Sequence, residues 1–446
     1  MACCTLLCST SEISRYPCPG STLLSIFLAD THGRQAIVLP LPKVNFATSI
    51  LLKTISLGIF IFFTVGFLLD VADVVTGGDF RESPYGKINP VISLISFCAS
   101  QIGFFMAWSA GFFLVTKGRE IKQCAESLDQ LVQLFGLDIP HSKRKSNFRN
   151  LIRIRIYFCS VVILAMVRFF LAMQTLPVAT FWTGSLLYAK IPLPSGIQVT
   201  YAHGTMLISI LFYYPVNVLF TYLSSFLVDC AEAFHAENCV ILHTLAHGDN
   251  DNSAAFNFLT QLRRIRSRQE KIYAAFDQVQ ETFRLKLFLD IAGNLSVVLS
   301  GIAWFSIWGA DMSAQPPVSV VRHFLAAGIY LLTVWVVGDQ PVQLFRQHER
   351  DIELLEKIVY KRQVTIRTKP SREEVGLTMA LLERFPSKSL TFSAGGVVDL
   401  SPSAISTLVA CIVSFTCFVI DRAENYRQIV TETKSAVNSS ALLCGS

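Results

Sequence analysis

Charge is scarce in this sequence. Asp, Glu, Lys and Arg together make up 16% of its 446 residues, against roughly 25% in soluble domains. A soluble chain of this size needs a charged surface to stay in water, so an ordinary globular protein is excluded. Several other features are missing too. There is no glycine loop for nucleotide phosphates, no nucleophile elbow and no pair of catalytic carboxylates. Neither an enzymatic activity nor a cofactor is indicated, and no nucleic-acid partner is expected. Internal repeats and low-complexity tracts are absent. The start of the chain does not read as a signal peptide, because its apolar stretch Leu23–Ala29 is short and has no basic flank close by. The twelve cysteines lack the regular spacing of a disulfide scaffold. Cys3, Cys4, Cys8 and Cys18 lie near the N-terminus, and Cys98, Cys159, Cys411 and Cys417 lie inside apolar stretches. Reduced or buried thiols follow, with palmitoylation of the first group open if that end is cytosolic.

Long apolar blocks take up the space that charge leaves. Hydrophobic residues make up 52% of the chain, with 34 Phe, and the mean hydropathy is +0.47. A bilayer core needs roughly 20 mostly apolar residues per helix. Seven blocks meet or approach that length: 46–69, 88–116, 154–176, 199–228, 287–308, 324–345 and 404–420. Gly338-Asp339 and Pro341 weaken the inner end of the sixth. The seventh is shorter and rich in Ser, Thr and Cys. The expected class is an all-α membrane protein with seven transmembrane helices.

Lys and Arg fix the orientation. The loops after the second, fourth and sixth blocks carry seven, seven and ten basic residues. The other three carry only Arg81 and Lys87, then Lys190, then Arg322. The basic loops belong in the cytoplasm, which puts the N-terminus inside and the C-terminus outside. A G-protein-coupled receptor needs the opposite arrangement, so that class is disfavoured despite the same helix count.

The basic loops carry helical patterns of their own. Ile121, Cys124, Leu128, Leu131 and Phe135 recur at helical spacing until Gly136 and Pro140 end the run. Ile265, Ile272, Phe276, Val279 and Phe283 do the same, as do Leu344, Ile352, Leu355 and Val359. Ser371-Arg372-Glu373-Glu374 reads as a capping box that opens a helix to about Phe385. Together these segments predict a helical cytoplasmic anchor. Asn250–Ser253 is a polar break between two of the patterns.

Few positions point to chemistry. His235, Cys239, His243 and His247 stand four apart on one helical face, but they spread over some 18 Å, too far for one metal ion, so no metal site is expected. Arg168 lies within the third block, where an ionisable group faces a cavity or a partner. Two roles fit it, a pair with Asp70 or a ligand contact. Asp290 and Asn294 in the fifth block read as structural. Asn438-Ser439-Ser440 in the expected external tail is a usable glycosylation sequon.

Polar and aromatic groups gather toward the outer ends of several blocks: Asn89, Ser93, Gln174, Tyr201, His203, Trp304, Trp308, His323 and Tyr330. An outward-opening small-molecule pocket accounts for them together. Arg168, Gln174, Tyr201, His203, Trp304 and Tyr330 are the candidate ligand-binding residues. The seventh block carries Ser401, Ser403, Ser406, Thr407, Ser414 and Thr416 and closes on Asp421 and Arg422. That composition suits a helix lining a water path; ordinary small-residue packing between helices is the alternative.

The last 60 residues resemble the insect-type gustatory receptors, within the odorant and gustatory receptor superfamily. The resemblance rests on the step Leu390-Thr391-Phe392-Ser393-Ala394-Gly395-Gly396-Val397-Val398-Asp399-Leu400 before the seventh block. It rests also on the frame of the helix-seven signature, Thr-Tyr, five apolar residues, then Gln-Phe. Here that frame reads Ser414-Phe415, then Thr416 to Ile420, then Asp421-Arg422. The resemblance implies a ligand-gated, nonselective cation channel in the plasma membrane, opened by a small-molecule tastant and assembled as a homo- or heterotetramer with related receptors. By family position Ser414, Thr416, Val419, Ile420 and Asp421 are the pore candidates. An odorant receptor subunit working with a coreceptor, or a secondary transporter, remains open. The expected organisation is a cytoplasmic N-terminal segment (1–45), a six-helix bundle with an outward ligand pocket (46–345), cytoplasmic anchor helices (346–400), a pore-lining seventh helix (401–421) and an extracellular tail (422–446).

Overall fold

The computed structural model describes nine positions between 51 and 68, and residues 90–136, 145–175, 212–247, 252–308, 317–365, 370–387, 389–418 and 420–421. The described positions between 51 and 68 are helical and form α1. Then follow α2 (Pro90–Leu134), α3 (Lys145–Thr175), α4 (Tyr214–His247), α5 (Asn252–Trp308), α6 (Pro317–Thr365) and α7 (Arg372–Ser387). Strands β1 (Ser393–Ala394) and β2 (Val398–Asp399) pair antiparallel, with Ser393 opposite Asp399 and Ala394 opposite Val398. Helix α8 (Pro402–Phe418) comes last.

Helix length shows that the bundle is taller than a membrane. At 1.5 Å per residue, the 57 residues of α5 span about 86 Å and the 49 of α6 about 74 Å. A hydrocarbon core is about 30 Å thick. The stretches Tyr214–Leu245, Phe258–Ile302 and Phe324–Val364 are long and apolar enough to cross one, and Ile156–Arg168 and Pro402–Phe418 are shorter apolar helices. Exposed apolar side chains mark the faces that such a setting would cover. They include Leu51, Leu57, Ile61, Val65 and Leu68 on α1, and Ile156, Ile163, Val167 and Phe170 on α3.

The basic segments extend these helices as their patterns require. Ile121, Cys124, Leu128 and Leu131 on α2 and Phe135 just past its end are all buried, as are Ile265, Ile272, Phe276, Val279 and Phe283 on α5. Helix α2 packs along α5, and α4 along α6, with α3 against α6. Helix α1 joins α2 through a hydrogen bond from Trp108 Nε1 to Thr64 Oγ1 (2.9 Å) and through stacking of Phe60 on Trp108. Helix α2 ends at Gly136, whose φ of 60° is a left-handed helix stop. The break at 250–253 falls where α4 ends and α5 begins.

The fold is all-helical as expected, with one short hairpin, β1–β2, in the glycine-rich step before α8. Two expectations need amendment. Pro341 does not interrupt the sixth helix. Helix α6 runs continuously through it and across position 345, since packing on α4 and α5 holds the helix despite the missing N–H. The capping box is half formed. Ser371 Oγ accepts from the Glu374 N–H (3.1 Å), but the Glu374 carboxylate accepts from buried Arg362 (2.7 Å) rather than folding back.

Candidate functional site

A polar cluster lies inside the apolar bundle, contributed by α3, α5, α6 and Tyr213 just before α4. Lys286, Asp290 and Asn294 stand four apart on α5 and are fully buried. Four-residue steps place them on one helical face, and that face points inward. Lys286 Nζ donates to the Asp290 carboxylate and lies 5.0 Å from the centre of the Tyr213 ring. Tyr213 Oη donates to Asn294 Oδ1 (2.8 Å), and Asn294 Nδ2 donates to the Asp290 carbonyl (2.6 Å). On α3, Tyr157 Oη donates to Thr333 Oγ1 of α6 (3.0 Å). Thr333 Oγ1 in turn donates to the Ile329 carbonyl (2.8 Å). Buried groups in such a setting need partners, and this network supplies them.

Above this tier, toward the end where α4 begins, Arg168 of α3 and Tyr330 of α6 lie within electrostatic reach of the Tyr214 phenol. Tyr330 is buried, and its hydroxyl would stand 3.3 Å from a Cβ on Gly103 of α2. Arg168 Nε is buried with no hydrogen-bond partner among the described residues. Phenols donate and accept, and a guanidinium donates only. The upper tier therefore suits a small molecule with an aromatic or apolar body and a hydrogen-bond acceptor.

The structure thus brings two of the six expected ligand residues, Arg168 and Tyr330, to one place. Tyr201, His203 and Asp70 lie outside the described residues. Gln174 and Trp304 sit in α3 and α5, but their side chains fall outside the description. Tyr157, Tyr213, Tyr214, Lys286 and Thr333 were not singled out from sequence. The available signal was the four-residue spacing of Lys286 and Asp290, which a count of Lys286 among loop cations concealed.

Among the described residues, only one face of α8 touches the rest of the chain. Ala404, Ile405, Leu408, Ile412, Phe415 and Thr416 are half-buried, whereas Ser403, Thr407, Ser414 and Asp421 are exposed. The exposed four fall along one stripe at 100° per residue. Ile420 is exposed too, but off that stripe. Thr416 sits on the packed side, and its Oγ1 donates to the Ile412 carbonyl (2.7 Å). Val419 lies outside the described residues.

Among the described residues no group of three His, Cys, Asp or Glu side chains could hold a metal ion. His235 of the four-apart series is engaged by Asp351 of α6, Nδ1 to Oδ1, at 2.7 Å. Burial pushes the Asp351 carboxyl up to about 6, against the opposing pull of His235.

Comparison with known proteins agrees with this architecture. Residues 38–421 match the model of a family described as 7tm chemosensory receptor. No curated protein matches the chain. Two solved structures of the insect olfactory receptor OR5 from Machilis hrabei, one in complex with eugenol, align with a TM-score of 0.63. They cover 90% of this chain and 96% of theirs, at 14% and 15% identity. At that identity the likeness is one of fold.

Proposed function

The chain belongs to the 7tm chemosensory receptor family, and on that premise we propose that it is a gustatory-type receptor, a ligand-gated nonselective cation channel opened by a small-molecule tastant. It sits in the plasma membrane with seven spans, its N-terminus in the cytoplasm and its C-terminus outside, in a homo- or heterotetramer with related receptors. The observation that carries the reading is α8, an apolar helix whose exposed side bears Ser403, Thr407, Ser414 and Asp421. Ser403 Oγ pairs with Ser401 Oγ (2.8 Å) and Thr407 Oγ1 donates to the Ser403 carbonyl (2.9 Å), but an outward stripe of hydroxyls ending in a carboxylate is still costly against lipid and favoured by water. Copies of the helix around a water-filled axis would hydrate them, and a ring of Asp421 carboxylates would concentrate cations.

The ligand site is the upper tier of the bundle. Arg168 and Tyr330 lie within electrostatic reach of Tyr214 there, and Gln174, Tyr201, His203 and Trp304 complete the candidate set. Ser414, Ile420 and Asp421 are pore candidates on exposed positions. Thr416 and Val419 are candidates by family position. A ligand opens such a channel only by binding the open state more tightly than the closed one.

Expression of the chain alone, with whole-cell recording against a panel of sugars, bitter compounds and carbon dioxide, tests the proposal. A ligand-evoked nonselective cation current is expected. Asp421→Asn should cut the single-channel cation current roughly twofold or more. Arg168→Ala should weaken the response to an active compound about tenfold, the loss of one good contact. Saturable uptake without current would replace the channel by a transporter. Current only on co-expression with a second receptor would fit a heterotetramer, gustatory or odorant-type; the chain's departures from the gustatory helix-seven signature permit the odorant-type subunit.

A further inference from the structure

The hairpin between α7 and α8 is fastened to α5 at three points. Gln280 grips Ser393 from both sides: its Nε2 donates to the Ser393 carbonyl (2.7 Å), and its Oε1 accepts from the Ser393 N–H (3.1 Å). One turn along α5, the Arg284 carbonyl accepts from the Gly395 N–H (2.9 Å). One turn further, Phe288 lies so close under the hairpin tip that a Cβ on Gly395 would stand 3.0 Å from its ring. Gly395 and Gly396 both have positive φ, 65° and 75°. A Cβ on Gly396 would fall 1.9 Å from the Arg284 guanidinium. The positive φ at both positions, and the close approach of Phe288 at Gly395, therefore require glycine.

Below the tip, Phe392 is fully buried. It meets Phe276 of α5 with ring centres 4.9 Å apart, and Phe220 of α4 at 5.2 Å. On the other side the hairpin runs directly into the pore helix. Ser401 N–H donates to the Asp399 carbonyl (2.8 Å), and Ser401 Oγ caps α8 by accepting from the Ala404 N–H (3.3 Å). No flexible linker separates the fastened hairpin from the first turn of α8.

Gln280, Arg284 and Phe288 follow one another at four-residue steps and share a face of α5. Lys286, Asp290 and Asn294 follow at the same step but two residues out of phase with Arg284, about 200° around the helix. One stretch of α5 thus holds the buried polar network on one side and the hairpin on the other. We propose that Gln280 is a positioning residue for gating: its two-point grip on Ser393 makes the β1–β2 hairpin a clasp through which displacement of α5 moves the pore helix. The inference rests on the reading of α8 as the pore helix. It adds the route by which the bundle reaches that helix, and a two-state element biased from both ends is what such coupling requires.

The test uses the full chain in cells, with ligand-free basal current divided by the number of surface copies. Tyr213→Phe unpins Asn294 on the network side. Gln280→Leu removes the clasp, and Gln280→Glu is a milder variant that keeps the acceptor for the Ser393 N–H. Gly396→Ala attacks the same clasp from the hairpin side. In the wild-type background Tyr213→Phe is expected to change basal current about threefold or more, and in the Gln280→Leu or Gly396→Ala background that change should vanish, the non-additivity of groups acting in series. Gln280→Glu should retain part of it. A purely structural Gln280 would lower surface number and leave the Tyr213→Phe effect intact. An equal effect of Tyr213→Phe in all backgrounds, or no effect in wild type, overturns the clasp and leaves the channel standing. A wild type without current, alone or with a second receptor, overturns the channel reading instead.

Discussion

Lys286 and Asp290 are a buried ion pair on one helix, four residues apart, with side chains only 2% exposed. Removing one charge leaves the other stranded in an apolar bundle, which costs about 3–5 kcal/mol, whereas replacing both with apolar groups of similar size is often near neutral. Lys286→Met and Asp290→Leu, each alone, should therefore sharply lower the yield of folded protein in detergent, and the double variant should recover most of it. Equal losses in all three would show that the pair is not the determinant.

A second ionisable pair joins His235 of α4 to Asp351 of α6, beyond the expected spans. Asp351 has its pKa raised from 3.8 to about 6, chiefly by burial. The folded form therefore holds a proton that the unfolded chain has already released. The resulting penalty is absent below the ordinary carboxylate range, grows as pH rises through that range, and is complete above about 6. Melting temperatures of wild type and Asp351→Asn, read across this window, should show wild type losing ground with rising pH and then a constant difference. A difference independent of pH would remove Asp351 as its source.

At the scale of elements, α2 and α5 approach closely at Gly293. A Cβ there would stand 2.2 Å from Met106 Sδ, and Met106 is itself fully buried. Gly293→Val should destabilise by about 1–3 kcal/mol through overpacking. Met106→Ala should restore part of the loss by making room, a compensation that thermal unfolding of the double variant would reveal. The helical patterns at Ile121–Phe135 and Ile265–Phe283 foretold which faces of these helices are buried, because 3.6-residue periodicity is a property of the chain itself. The hairpin at 393–399 did not announce itself as strand, because two paired residues on each side give too short a pattern and Gln280, which holds it, is more than a hundred residues away.

For the molecule as a whole, the strongest sequence argument is the asymmetry of basic residues between alternate loops. It leads to an external C-terminus, and an epitope tag placed there should bind antibody on intact cells, while a tag at the N-terminus should need permeabilisation. The reverse pattern would reject both the topology and the pore arrangement built on it.

The sequence by itself determined the membrane setting, the long helices, the buried faces of the basic segments and the family frame near the end, because hydropathy, periodicity and spacing are written along the chain. Only the tertiary structure decided that Arg168 and Tyr330 both come within electrostatic reach of Tyr214, that Lys286 is a core residue rather than a loop cation, and that the polar stripe of α8 is left unpacked by the described residues. Those facts depend on how helices distant in sequence rotate against one another, and each rotation is set by packing partners that no local pattern specifies.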